Sequence, residues 1–180
     1  NPDWYWGMGT TAEAVAKSYK INREDQDEFA FNSHKKAINA ISNGLFKKEI
    51  VPITVTESYL DENEKKIKRD YIIDTDEGAR EDTTIEKLSK LRPVFAQKGT
   101  VTAGNSSQVS DGASFVFVMS EKLINKLNIK PIAKLLSYQV AGVEPKHMGI
   151  GPIEAIPKAL NKINMNINDI ELIELNEAFA

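Results

Sequence analysis

From Gly112 to the C-terminus, short apolar runs alternate with helical periods, and this alternation limits the possible folds more than any other feature. Residues 113–119 form an apolar run of strand length, and a helical period follows through Leu127. A second strand-type run covers 133–140. Residues 152–163 again have a helical period, with Pro157 as an awkward kink, and 169–175 is a third apolar run. Short continuous apolar runs suit strands buried on both faces. Strand, helix, strand, helix, strand therefore predicts α/β layering.

The N-terminal part has a different character. Residues 11–19 and 23–44 read as helices. In the second, Asn22 is placed to cap, Glu24 and Asp25 suit the positive end, and Phe29, Ala30, Ala37, Ile38 and Ile41 recur at helical spacing. Gly44 is placed to stop it. Residues 50–55 alternate as a short strand, the charged stretch 57–70 reads as a solvated hairpin or excursion, and 84–91 as a short helix closed by Pro93. A soft boundary is expected near Asn105.

Composition narrows the chemistry. With 180 residues, 41% hydrophobic and 27% charged, the chain has the make-up of a globular protein. Its apolar runs fall far below the roughly 20 residues of a membrane span. A formal net charge of -3 gives no global reason to expect nucleic acid. The absence of cysteine excludes disulfides and thiolate metal sites within these residues. His34 and His147 are too few and too far apart in sequence to suggest zinc, and no metal is expected. The N-terminal NPDWYWGMG lacks the basic start and apolar core of a signal peptide and begins without Met, so a longer parent is expected.

Three stretches carry candidate chemistry. GTVTAGNSSQVSDGA, residues 99–113, packs three glycines among small hydroxylated residues. Such a stretch lets a ligand approach the backbone and offers short donors, although on composition alone it reads first as a turn-rich connection. It has no phosphate-loop spacing. MGIGP, residues 148–152, precedes a helical period whose free N–H groups suit an anion or carbonyl. Met8, ahead of the first helix, reads as packing when taken alone. In the terminal NEAFA, Asn176 follows a strand-type run, where α/β sheets bind ligands; an Asn turn is the equal alternative.

Together the blocks MGTTAEAVA, INREDQDEFAFNSHKKA, FKKEIVPI, DEGAREDTTIEKLSKLRP, GTVTAGNSSQVSDGA, MGIGP and NEAFA resemble, in this order, the thiolase family. The NSSQVSDGA form is more similar to the degradative 3-ketoacyl-CoA thiolases (acetyl-CoA acyltransferases), and WGMG departs from the HMG of biosynthetic members. The resemblance implies a layered α/β/α/β/α fold, incomplete in this chain, with a helical loop domain. It implies a loop domain and coenzyme A-binding region over 1–105, the end of the N-terminal thiolase half over 106–130, and the start of the C-terminal half over 131–180.

For activity, the resemblance implies thiolytic cleavage of a 3-ketoacyl-CoA to acetyl-CoA and a shortened acyl-CoA, through an acyl-enzyme on a cysteine. That chemistry also takes an activating His, a second Cys as acid/base and oxyanion donors. By motif, Asn176 inherits the oxyanion-hole water. Met8, Arg80, Phe95, Ser107, Met148 and Phe179 would line the coenzyme A and acyl path: Arg80 at a phosphate, Phe95 on the adenine, Ser107 at the pantetheine amide, the others as apolar walls. His34 and His147 inherit no role and read as surface or packing residues. Coenzyme A is expected as substrate, with no covalently bound cofactor. The resemblance further implies a homodimer or homotetramer, a chain that is inactive and association-prone in isolation, and a cytoplasmic location if the source is bacterial. The alternative is a non-catalytic acyl-CoA or lipid-binding module of the same fold; a related condensing enzyme ranks behind both.

Overall fold

The computed structural model describes residues 2–180. Its helices are α1 (Met8–Tyr19), α2 (Arg23–Ser42), α3 (Ile85–Ser89), α4 (Glu121–Leu127) and α5 (Gly151–Asn161), and its strands are β1 (Ile53–Leu60) and β2 (Lys66–Ile73). Short 3-10 segments occupy Pro2–Tyr5, Pro145–Ile150 and Ile167–Asp169. No helix among the described residues is long and apolar enough to cross a membrane.

The helix ends follow from local chemistry. The Asn22 side chain accepts from the Asp25 N–H at 2.8 Å, with Glu24 and Asp25 in the first turn of α2 where the helix end is positive. Thr84 caps α3 by accepting from Lys87 N–H, and Ser120 caps α4 by accepting from Leu123 N–H. Gly44 adopts φ +67° just beyond α2, a conformation that a side chain would oppose. Pro157 lies inside α5, so the carbonyl of Ile153 loses its helical donor there.

The charged excursion is the hairpin itself. β1 and β2 pair antiparallel from Ile53↔Ile73 to Leu60↔Lys66, so the strand expected over 50–55 starts later and runs further. Asp61 closes the turn, its carboxylate accepting from the N–H groups of Asn63 and Lys65 at 2.9 and 2.8 Å.

The buried centre lies where α1, α2 and α3 meet residues 100–106, and it is as polar as it is apolar. Ala16, Ala30, Leu88 and Val101 are buried together with Thr11, Gln26, Asp27, Thr102 and Asn105. Asn105 donates from Nδ2 to the Asp27 carboxylate and to the Thr100 carbonyl, both at 3.0 Å, and its Oδ1 accepts from Thr102 N–H at 2.7 Å. Asp27 is held in turn by Arg23 at 2.8 Å, whose guanidinium also donates to the carbonyls of Leu88 and Leu91. Among the described residues no buried side-chain nitrogen or oxygen lacks a partner, which is what burial of polar groups demands.

Three expectations are corrected. Residues 113–119, 133–140 and 169–175 were expected as buried strands and instead form no strand. Phe115 is 92% exposed and Phe117 89%; Leu135 and Leu172 are 77% and 78% exposed. The physical reason is that a strand acquires its hydrogen bonds and its cover from neighbours, and the only described sheet is the two-stranded hairpin.

Replacing Asn105 by Ala strands the Thr102 N–H and one oxygen of Asp27. Unfolding in urea is expected to show a loss of about 1–3 kcal/mol, the range for buried polar groups left unpaired; a loss under about 0.5 kcal/mol would contradict the network. The bare apolar segments predict that the purified 180-residue chain self-associates in size-exclusion chromatography, and a single well-folded monomer peak would refute this.

Candidate active site

The candidate site grows from the way residues 99–107 are held. Glu13, in α1, accepts from the N–H groups of Thr100 at 3.0 Å and Val101 at 2.9 Å, clamping the start of the loop. Gln26 of α2 donates to Thr100 Oγ1 at 2.9 Å. Ser106 Oγ donates to the Thr102 carbonyl at 2.6 Å, and Gly104 sits so close to Leu88 and Leu91 that a Cβ there would meet their methyl groups at 2.6 and 2.5 Å. The loop is thus fixed by α1, α2 and α3 at once.

The C-terminal residues dock on it. Ser107 N–H donates to the Ala178 carbonyl at 2.9 Å and Ala180 N–H to the Asn105 carbonyl at 3.0 Å, forming an antiparallel bridge between Ser106 and Phe179. Phe179 meets Phe95 edge to face, with ring centroids 6.2 Å apart and planes at 86°. Phe95 also lies directly over Gly9, where a Cβ would run into its ring.

Two adjoining hollows of about 260 and 270 Å³ flank the loop and share His34, Gly78, Gly104, Ser106 and Gln108. The first lies between α2 and the docked C-terminus, with Phe29, Ser33, Ser107 and Glu177 in its walls. Ser33 Oγ donates to Glu177 at 2.7 Å across it. The second opens toward Arg80, Asp82 and Lys87. The Arg80 N–H donates to His34 Nδ1 at 3.1 Å, and the Arg80 side chain, 69% exposed, reaches Asp82 at 3.4 Å. Lys87 and then Arg80 hold the Asp82 carboxyl below its usual pKa. The ionised form is thus the one the fold favours, and its small surface contribution is lost as pH falls through the lowered value.

The seven residues singled out from sequence separate into groups. Phe95, Phe179 and Ser107 come together around the bridge, with Met8 beside them through its neighbour Gly9. Arg80 lies on the other side of Gly104, in the second hollow. Met148, 46% exposed, sits in the Pro145–Ile150 turn, which packs along α1. The Asn176 side chain is exposed and has no hydrogen-bond partner among the described residues; its neighbour Glu177 lines the first hollow. Sequence reasoning passed over Ser33, His34, Gln108 and Glu177. The signal for two of them was present, since Ala30, Ser33, His34 and Ala37 recur at the spacing of one helix face.

Comparison with known proteins gives this geometry its context. Residues 5–122 match the family model of the thiolase N-terminal domain, and residues 129–180 that of the thiolase C-terminal domain. The chain belongs to the thiolase family. It is 50% identical to a 3-ketoacyl-CoA thiolase of Bacillus subtilis over 99% of its own length and 46% of that protein's. It is similar to the crystal structure of the Bacillus anthracis acetyl-CoA acetyltransferase, with a TM-score of 0.81 and 44% identity over 96% of this chain and 41% of that one. Human mitochondrial 3-ketoacyl-CoA thiolase in complex with CoA is similar as well, with a TM-score of 0.81 and 40% identity over 99% of this chain and 42% of that one. The chain therefore spans under half the length of the relatives it matches. The layered α/β expectation is met as an incomplete thiolase fold, on the similarity of the chain as a whole to thiolase structures. The Thiolase N- and C-terminal models meet across α4.

In this thiolase chain, Gly9→Ala places a methyl group inside the Phe95 ring position. The expected result is a stability loss of about 1–3 kcal/mol from overpacking, with a change in the near-ultraviolet circular dichroism as Phe95 leaves Phe179. Unchanged stability and spectrum would contradict the close approach.

Proposed function

We propose that the protein to which this chain belongs is an acyl-CoA C-acyltransferase of the degradative 3-ketoacyl-CoA thiolase type. It cleaves a 3-ketoacyl-CoA by attack of a thiolate on the keto carbon, releasing acetyl-CoA and passing the remaining acyl group to the thiol of a second coenzyme A. The observation that carries this reading is the docking of Ala178–Ala180 onto Asn105–Ser107, which gathers four separate thiolase-like blocks around one pair of hollows.

Within that reading, residues 1–105 form the loop domain and coenzyme A-binding region, 106–130 end the first thiolase half and 131–180 begin the second. Arg80 is the phosphate ligand. Its exposed guanidinium has one long contact, to Asp82, and keeps donors free for an anion. Phe95 offers a half-exposed face for the adenine and Ser107 an exposed hydroxyl for the pantetheine amide. Met8, Met148 and Phe179 are the adaptable apolar walls of the acyl path. Asn176, exposed at the end of the last apolar run, orients the oxyanion-hole water. The chain contains no cysteine, so the nucleophile and the second cysteine come from residues outside these 180. The working form is a homo-oligomer; one similar structure is the dimeric peroxisomal thiolase of Saccharomyces cerevisiae. The compartment is the cytoplasm if the source is bacterial.

The missing cysteine also motivates the second reading, a non-catalytic acyl-CoA-binding module. One experiment separates the two. The protein expressed from the complete reading frame is expected to cleave acetoacetyl-CoA in the presence of coenzyme A. Arg80→Gln is expected to weaken coenzyme A binding about tenfold or more, the value of a charge-assisted hydrogen bond, and to leave pantetheine binding unchanged. Coenzyme A binding without turnover selects the module, and loss of neither activity nor affinity in the variant removes Arg80 from the site.

A further inference from the structure

His147 has no part in the reading above, yet it occupies a defined position. It lies inside the Pro145–Ile150 turn at φ -115° and ψ 28°, away from helical values, and divides the turn into two pieces. Its Nε2 is 2.9 Å from Ser18 Oγ in the last turn of α1, and its Nδ1 is 3.4 Å from Glu144 Oε2. Lys146, 3.3 Å from the same carboxylate, keeps Glu144 ionised by lowering its pKa. An ionised carboxylate only accepts, so the tautomer with its proton on Nδ1 faces Glu144 and leaves Nε2 to accept from the Ser18 hydroxyl.

These three groups stand in the order of a hydrolase relay, but Ser18 ends a helix, where carbonyl oxygens rather than N–H groups are exposed. A developing oxyanion would meet the wrong end of the dipole. The arrangement is a clasp. Among the described residues it is the only side-chain hydrogen bond joining this turn to α1, and it is made by the residue next to Met148. On the other side of Met148 the chain runs through Gly149, where an added Cβ would meet only Val15, at 3.7 Å, and Gly151, where it would meet open space. The turn also packs along α1, and the imidazole adds to that packing a directed side-chain bond next to Met148.

We propose that His147 is a positioning residue that sets acyl-chain length: bridged between Ser18 and Glu144, it fixes the Pro145–Ile150 turn on α1 and thereby the Met148 wall of the acyl path. This rests on the assignment of Met148 to that path. A wall held in one place covers a chain of one length well, and a wall released covers long chains poorly. Binding of coenzyme A itself, which does not reach the wall, is unaffected.

The test measures affinity for coenzyme A, acetyl-CoA, hexanoyl-CoA and octanoyl-CoA in the protein expressed from the complete reading frame. It compares the parent with His147→Ala, Ser18→Ala and His147→Gln. His147→Ala and Ser18→Ala are expected to keep the affinity for coenzyme A and to lose roughly fourfold in acyl preference for each methylene left uncovered. His147→Gln, whose amide reaches toward Ser18 from the Nε2 position, is expected to restore the preference. Unchanged acyl dependence in His147→Ala overturns the proposal. An equal fall for coenzyme A and octanoyl-CoA overturns it too, since that marks a role in folding alone. If the parent binds none of the four, the assignment of the cleft fails first and the clasp's role in specificity falls with it.

Discussion

The rest of the structure depends on one buried side chain, Asn105, and on the carboxylate of Asp27 that receives its amide. An amide has two donors and an acceptor with two lone pairs. Here both kinds are used within the interior: Nδ2 ties the loop to α2 and to its own Thr100 carbonyl, and Oδ1 collects the Thr102 N–H. A buried carboxylate is costly unless its charge is met. Arg23, one helical turn before Asp27, meets it and extends the tie to the carbonyls ending α3. Two helices and a loop from distant parts of the sequence are thus locked by charge-assisted bonds rather than by a large apolar core.

That choice has a consequence for the site. Apolar packing is tolerant of small shifts, whereas hydrogen bonds of 2.6 to 3.0 Å specify position and direction. The loop that holds Ser106 and Ser107 is therefore fixed from below by Asn105 and from its start by Glu13, and the Ser106 hydroxyl is tied to the Thr102 carbonyl. The same rigidity presents a strand-like edge, which the Ala178–Ala180 backbone takes up. Glycine is needed at two points of close approach, Gly104 against α3 and Gly9 under Phe95, and in both cases the neighbour is an apolar side chain that would otherwise be displaced.

What was legible in the sequence divides along the same line. Helices α1 to α3 were readable because their periods, caps and stops act locally: Asn22, Thr84 and Gly44 do in the structure what their residue types suggest. The hairpin was readable as a charged excursion, since its two strands pair with each other. The runs at 113–119, 133–140 and 169–175 carry a strand pattern but not the partner that turns a pattern into a ladder, so residue type alone misplaced them as buried. In the site, the motif residues were legible and their supports were not. Glu13, Asp27 and Gln26 look like ordinary polar residues of helix surfaces, and only the fold brings them to within 3.0 Å of residues more than 70 positions away.

The contrast between a fully satisfied polar interior and long stretches of bare apolar chain has one physical resolution. Folding around Asn105 uses contacts confined to α1, α2, α3 and residues 99–107, all of which lie within the first 107 residues apart from the docked Ala178–Ala180 segment. The apolar runs beyond Gly112 have the composition of sheet interior, so their cover must be something that offers both strand edges and apolar faces. Yet the chain as a whole is similar to a thiolase structure at a TM-score of 0.81 over 96% of its length. The holds on these runs are local: Ser137 Oγ donates to the Ala159 carbonyl of α5, Lys162 Nζ donates to the Tyr138 carbonyl, and the bridge at Phe179 fixes the end of the last run. The polar lock at Asn105 and the aromatic pair at Phe95 and Phe179 therefore do for the last run what a neighbouring strand would do: they fix where it emerges, and with it the place from which Asn176 projects.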